Sequence, residues 1–376
     1  MVQDRYGTAE VLEVRTVDRP QIASTQVLIE VHAAGVDRGV AHLVTGTPYL
    51  IRLTGYGITK PKHPIPGADV AGRVVVVGDK VTRFRPGDEV FGIANGAYAE
   101  FAAADEHKLV HKPANVAFQQ AGVVAISGGT ALQALTDVGR LQAGQRVLVV
   151  GASGGVGTYA VQLAKALGGV VTGVASAAKV DMVRSIGADH VIDYAAQDFL
   201  DGTVRYDLIV DIGGRNSIRR LRRALTPTGT LVLTGGEGGG RWTGGFLERQ
   251  LRALLLSLVV GQRLKGFVNK EHHTILERLT EHLASGAVVA VIDRAVDLEH
   301  VPDAIRDLAA DESHRADGAD RSHMRNAVLN HRCEPGRTSA VRGRSRPPVP
   351  CVRSNSVDDM GTPHRRARTF VLGSHQ

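Results

Sequence analysis

The seven residues GASGGVG at 151–157 follow the aliphatic run RVLVV and precede a segment whose Val156, Ala160, Leu163, Ala164 and Leu167 recur at helical spacing. A strand, a glycine turn and a helix start aim several backbone N–H groups and the positive helix end at one point, where a pyrophosphate fits. Glycine is required there because a Cβ would collide with the phosphates or with the adjoining strand. The spacing G-x-x-G-x-x-G is one residue longer than the common fingerprint. A flexible loop alone would show the same glycines. Flanked by a strand, a helix and further strand–helix units, the motif predicts a dinucleotide site built from Gly151, Ser153, Gly154, Gly155, Val156 and Gly157, with Gly235 after a later strand.

About 20 residues beyond such a loop, NAD-binding chains place a carboxylate against the ribose 2′-hydroxyl. Here the text is TGVASAAK, with Ser176 and Lys179 and no acid. A hydroxyl and an ammonium can hold a 2′-phosphate that a carboxylate would repel. Tyr194, at the end of the third strand of this half, is placed to reach the same group. NADPH is the expected cofactor, ahead of NADH; the alternative is that Lys179 is only a solvated residue of a first helical turn.

The elements around the loop divide the chain by pattern. Residues 1–125 carry QVLIEVHAAGV (26–36), DVAGRVVVVG (69–78) and GDEVFGI (87–93), short strands broken at PIPGAD and RPGDEV, as in a small antiparallel β-domain. Over 126–268, strands RVLVV, VVTGVA, HVIDY, YDLIVDIGG and GTLVLTGG alternate with helices around KVDMVRSIG and SIRRLRRAL. Continuously apolar strands joined by helices predict a parallel sheet covered on both faces. An apolar helix (246–260) and the strand QRLKGFV follow. Residues 269–310 add the helix HHTILERLTEHLAS, the strand VVAVIDRAV and the short helix VPDAIRDLAA. The expected fold class is α/β, a Rossmann-type parallel sheet with a second, β-rich domain.

Composition narrows the function. The net charge of +7 suggests a nucleic-acid partner until it is located: residues 311–376 hold 12 arginines and 7 acids, leaving the body nearly neutral. Those arginines are scattered among acids with little aromatic interleaving, so a small-molecule substrate is expected and nucleic acid is not. Cys333 and Cys351 are the only cysteines, so no cysteine-bound zinc is expected in the body. No run of eighteen uncharged apolar residues occurs, and a cytoplasmic protein away from membranes is the expectation.

The order of β-domain, GASGGVG loop, SIGADHVIDY and return segment resembles the medium-chain dehydrogenase/reductase superfamily, in its zinc-free quinone oxidoreductase (zeta-crystallin-like) branch. AAGVDRG, PIPGADVAG, VTRFRPGDEVFG, ISGGTALQAL and LTPTGTLVLTGG carry the resemblance, which covers residues 2–310. It implies a GroES-like catalytic domain assembled from residues 1–125 and 269–310, a nicotinamide in the cleft, and a homodimer paired through edge strands, with QRLKGFV similar to that edge. Zinc-dependent members carry a cysteine near Asp37 and a His-Glu pair at the place of Ala68 and Asp69. This sequence has neither, so the resemblance implies hydride transfer to a quinone, an enone or a related carbonyl acceptor without zinc.

Within that resemblance, Tyr49 stands where enoyl reductases carry a proton-donating tyrosine, or is an aromatic of the cleft wall. Asp37 stands where a ligand-contacting asparagine is common, or is a turn former. Thr130 resembles the threonine beside the nicotinamide, or is a helix cap. His42 and His63 flank the expected cleft. Two departures stand out. The first strand is shorter than in relatives, and after VPDAIRDLAA the expected aliphatic strand is replaced by DESHRADGADRSHMRN and an arginine-rich tail. Residues 311–376, which show no strand or helix periodicity beyond the fragments AVLN and TFVLG, are expected to be disordered. A shifted reading frame would account for the change and would cost the catalytic domain its last strand. The rival expectations are a nucleotide-binding protein without turnover and an inactive product of a C-terminally damaged gene.

Overall fold

The structure, a computed structural model, describes residues 1–235, 240, 242–316 and 327–330. The N-terminal strands form where apolar residues alternate between turn glycines and prolines: β1 (Gln26–Val36), β2 (Asp69–Val77), β3 (Glu89–Ile93), β4 (Phe101–Asp105) and β5 (Leu109–His111). β1 pairs antiparallel with both β2 and β4, and the order continues through β3 to β5. Helix α1 (Arg38–Thr45) follows β1, while α2 (Phe118–Ala121) and α3 (Ala125–Gln133) lead out of this lobe.

The second sheet is entirely parallel, in the order β11-β10-β9-β6-β7-β8. Its strands are β6 (Arg146–Val150), β7 (Val170–Ala175), β8 (His190–Asp193), β9 (Tyr206–Asp211), β10 (Leu225–Leu233) and β11 (Arg263–Gly266). They alternate with α4 (Gly155–Ala166), α5 (Val180–Ser185), α6 (Ile218–Arg223) and α7 (Phe246–Ser257). Side chains alternate faces as the pleat requires. Val147, Val149, Leu208 and Val210 join a core shared with α3 and α4, whereas Leu148, Val150, Ile209 and Leu231 join the core on the other side. Both faces are dry, which explains the unbroken apolar runs. The chain reverses sides between β6 and β9, and such a switch point opens a crevice at the carboxyl ends of the strands.

The return segment contains α8 (His273–Ala284), β12 (Arg294–Val296) and α9 (Val301–Ala316). Only the last three residues of the strand expected over VVAVIDRAV are extended in a ladder. The reason lies in α4: Gln162 accepts from the Val289 N–H at 2.9 Å and donates to its carbonyl at 3.0 Å, satisfying the backbone that a neighbouring strand would have paired.

Two features correct the expectation of a structureless tail and a lost final strand. Helix α9 continues past Ala310 to Ala316. The fragment AVLN forms β13 (Ala327–Asn330), antiparallel to β1 over Ala33–Val36 and parallel to β12. Ala327 and Leu329 enter the core of the N-terminal lobe, and Val328 enters the core shared with the nucleotide half. A four-residue segment with three apolar side chains suffices because one ladder on each side satisfies its backbone. TFVLG and the rest of residues 331–376, like residues 317–326 and 236–239, lie outside the described residues.

Candidate active site

The glycine loop joins the end of β6 to α4, and its glycines have distinct duties. Gly151 adopts φ +88°, a conformation that L side chains rarely take. Gly157 packs against the loop so closely that a Cβ would lie 2.1 Å from the Gly151 carbonyl oxygen. Gly154, the N-cap of α4, is different: a Cβ there would meet only the Gly151 oxygen, at 3.5 Å, and otherwise open space. No side chain caps the first turn of α4, where Gly155, Val156 and Gly157 lie. Open space over a helix start without a side-chain cap fits a pyrophosphate. Ser153 lies in the same turn, half-buried.

Neighbouring strand ends close the crevice. A Cβ on Gly151 would lie 3.3 Å from the Gly213 N–H, and one on Gly235 would lie 2.0 Å from the Ile212 carbonyl oxygen. The ends of β6, β9 and β10 therefore meet backbone to backbone. Ser176 is buried at the end of β7, and Tyr194 follows β8, its N–H donating to the Ala175 carbonyl. The β7–β8 register, Ala175 opposite Asp193, sets these two residues side by side. Lys179 closes the short turn after β7, its N–H donating to the Ser176 carbonyl at 2.9 Å. Asp193, the acid of that strand end, is engaged with the Ala195 N–H at 3.0 Å.

Sequence inspection missed an ion pair in the crevice. Asp211, fully buried at the end of β9, accepts from Arg249 of α7, which also donates to the Gly214 and Asn216 carbonyls. Burial raises the Asp211 carboxyl to about 6 against the opposing pull of Arg249. The pair fixes the loop against which Gly151 packs. An acid at a strand end was visible in YDLIVDIGG, but its partner lies 38 residues away on a different element.

In the catalytic lobe, Asp37 caps α1 through the Val40 N–H at 2.9 Å. Asp69 starts β2, is 3% exposed and accepts from the Ile126 N–H of α3 at 2.9 Å. It lies over Gly35, where a Cβ would approach the Asp69 Cβ to 2.9 Å. Burial raises the pKa of both acids, and the Asp37 charge raises Asp69 further. Tyr98, whose hydroxyl donates to the Gly35 carbonyl at 2.8 Å, is raised by burial and by both carboxyls. A carboxyl pair, Asp69 buried and Asp37 half-buried, thus occupies the positions discussed above for metal ligands. Both acids are engaged by backbone N–H groups, and Ala68 offers no donor atom, so this set does not fit a catalytic zinc.

The linkage has a definite sign. Asp69 holds its proton more tightly folded than unfolded, so its contribution to stability is lost as pH rises from the ordinary carboxylate range through the raised value. Ile126 N–H opposes the shift, while Asp37 and Glu271 reinforce it. Asp69→Asn keeps the acceptor for Ile126 and removes the charge. Denaturant titrations are expected to find the variant gaining on the wild type as pH rises above the ordinary carboxylate value of 3.8.

Tyr49 stands in the loop after α1. Its ring meets Trp242 edge-on at 5.6 Å, with the Arg52 guanidinium 4.7 Å from the ring centroid. The Leu50 N–H donates to the Trp242 carbonyl at 3.0 Å, and a Cβ on Gly244 would touch Pro48 at 3.0 Å. The segment after β10 therefore holds the Tyr49 loop, bringing the phenol to the side of the parallel sheet where the crevice opens. Trp242, 74% exposed, is a second residue that sequence inspection did not select. Thr130 is half-buried in the interior of α3; the N-cap is Val124, which removes the capping alternative. His42 lies in α1 with its ring nitrogen 3.0 Å from the Thr47 carbonyl, and His63 is exposed.

Comparisons with known proteins agree with this architecture. An alcohol dehydrogenase GroES-like domain model matches residues 23–114, and a zinc-binding dehydrogenase model matches residues 186–318. The quinone oxidoreductase of Mus musculus is 31% identical over 318 residues, covering 81% of this chain and 91% of that protein. The 2-methylene-furan-3-one reductase of Solanum lycopersicum is 30% identical over 302 residues, 77% of this chain and 69% of that protein. Among solved structures, the quinone oxidoreductase from Coxiella burnetii superposes with a TM-score of 0.74 at 25% identity, covering 88% of this chain and 98% of the other. With a GroES-like lobe beside a parallel sheet, a glycine loop at its switch point and relatives that share most of its length, the chain belongs to the medium-chain dehydrogenase/reductase superfamily of oxidoreductases, in the quinone oxidoreductase branch.

Proposed function

We propose that this chain is an NADPH-dependent, zinc-independent oxidoreductase that reduces quinones, enones or related carbonyl compounds as a homodimer. One observation carries the proposal: the open glycine cradle stands with a catalytic lobe whose metal positions hold a backbone-bound carboxyl pair in place of a zinc-ligand set. The similarity to quinone oxidoreductases and to a furanone reductase supports the acceptor class.

When bound, NADPH supplies the hydride. Gly151, Ser153, Gly154, Gly155, Val156 and Gly157 cradle the pyrophosphate, Gly235 keeps the end of β10 close to β9, and Ser176, Lys179 and Tyr194 hold the 2′-phosphate. Thr130 flanks the nicotinamide. Asp37, which caps α1 and whose pKa burial raises, contacts the acceptor beside the nicotinamide. Tyr49, its ring fixed by Trp242 and Arg52, gives its hydroxyl proton to the carbon left electron-rich after reduction of an enone.

Steady-state oxidation of NADPH and NADH with a quinone, an enone and an enoyl thioester tests the proposal. Turnover with at least one acceptor and a preference for NADPH supports it. Cofactor binding without turnover of any acceptor would favour a non-catalytic nucleotide-binding protein. Ser176→Ala combined with Lys179→Ala is expected to raise the KM for NADPH about 10- to 100-fold, the worth of one or two charge-assisted hydrogen bonds, and to leave that for NADH nearly unchanged.

The dimer rests on β11, the edge of the parallel sheet, and on α7 beside it. Leu251, Leu254, Leu255, Leu258 and Val259 are all more than half exposed there, an apolar patch that a second copy of the edge would cover. Leu254→Glu with Leu258→Glu is expected to halve the mass found by light scattering.

A further inference from the structure

We propose that His107, His272 and His273 form a surface site for a divalent metal ion, with the chemistry of Zn²⁺, that ties the short turn Glu106–Lys108 of the N-terminal lobe to the start of α8. One ring nitrogen from each histidine lies within 4.8 Å of the others. The rings already stack: His107 and His272 are 6.1 Å apart and nearly coplanar in orientation, and His272 and His273 are 4.2 Å apart. Around a tetrahedral zinc with Zn–N of about 2.0 Å, neighbouring nitrogens stand about 3.3 Å apart. Rotation of exposed side chains closes that difference, since His107 and His272 are exposed and His273 is half-buried.

Two further observations distinguish this cluster from a chance gathering of imidazoles. First, one ring is already oriented. His273 Nδ1 is 3.0 Å from Glu277 Oε1, and an Nδ1–H donated to that carboxylate leaves Nε2 unprotonated for a metal and fixes the ring plane, as the outer partners of metal-bound histidines do. His272 Nδ1 instead caps α8, accepting from the Thr274 N–H at 3.4 Å, and this exposed ring turns to meet the metal. Second, ion pairs on either side join the same two parts of the chain. Lys108 meets Glu271 at 2.6 Å, and Arg83 meets Glu277 at 2.6 Å. The histidines are therefore held in register before any metal arrives, and Glu271 and Glu277 offset part of its charge.

Three neutral imidazoles without thiolate or carboxylate ligands suit zinc, nickel or copper(II) and not magnesium or calcium. A water completes the fourth position. Neither Asp37, Asp69 nor Tyr49 belongs to the cluster, so the metal holds the return helix to the lobe and takes no part in hydride transfer.

The test uses the full chain stripped with EDTA and titrated with ZnCl₂ by calorimetry. The sequence carries other zinc-binding groups, Cys333 and Cys351 among them, so wild type is compared with His107→Ala and His272→Ala, which lie on separate segments. The wild type is expected to bind one more equivalent than either variant, or to bind that equivalent at least 30-fold more tightly, and zinc should raise its melting temperature but not theirs. Equal melting temperatures in EDTA and equal NADPH affinities show that the variants are folded. Co²⁺ in place of zinc should give the visible absorption of a four-coordinate nitrogen site only in the wild type. Identical zinc stoichiometry and affinity in wild type and in a folded variant would overturn the proposal.

Discussion

Gly157→Val is expected to weaken NADPH binding at least about 100-fold, a loss of roughly 2.7 kcal/mol. A Cβ at this position would lie 2.1 Å from the Gly151 carbonyl oxygen and 2.8 Å from the Ala152 carbonyl carbon, both backbone atoms that a rotamer change cannot relieve. Helix α4 must move off β6, and the N–H groups of its first turn move with it. Gly154→Ala separates this effect from simple misfolding. Its Cβ would make an ordinary contact of 3.5 Å, so the chain should melt like the wild type. The methyl group nevertheless enters the space assigned to pyrophosphate, and affinity should still fall about tenfold. Fluorescence titration with NADPH, paired with thermal melts, distinguishes the two. Normal affinity in Gly157→Val would remove the loop from the cofactor site.

Val328→Asp should be the most damaging single change outside the cofactor site, costing about 3–5 kcal/mol or preventing folding. Val328 is fully buried at the centre of β13, between β1 and β12, in the core that runs from the N-terminal lobe to the nucleotide half. A carboxylate there enters a dry core: Arg294, the cation of β12, stands opposite Ala327 on the other face and already pairs with Asp307, and burying an acid unpaired is among the largest penalties that a substitution can impose. Val328→Ala, which removes two methyl groups, should cost less, about 1–3 kcal/mol. Denaturant unfolding measures both. If Val328→Asp matches the wild type, AVLN does not complete the sheet, and the expectation of a lost final strand returns.

What the sequence revealed and what it hid follow from the range of the interactions involved. The glycine loop, the parallel sheet and the strands of the N-terminal lobe were legible because they depend on local spacing: short strands between glycine and proline turns in β1 and β2, unbroken apolar runs in β6 and β9, helical spacing in α4. The strand β13 was hidden because its three apolar residues stand amid polar text and become a strand only through β1, nearly 300 residues earlier, and β12. The strand over VVAVIDRAV was overestimated because a side chain, Gln162, took the place of a ladder. Asp37 was visible as a candidate, but Asp69 entered only as a position where a ligand was missing; its proximity to Gly35 and to the α3 backbone comes from sheet register. The pairs Asp211–Arg249 and Tyr49–Trp242 and the three histidines likewise join residues that no short window contains.

The most direct test of metal-free hydride transfer is a single turnover of EDTA-stripped protein with NADPH carrying deuterium at the transferred position, an enone as acceptor, and the zinc content measured on the same sample. The expected result is a saturated product with deuterium on the carbon β to the carbonyl, formed at a rate that neither chelation nor added zinc changes. A rate that falls with zinc content and returns when zinc is restored would contradict it.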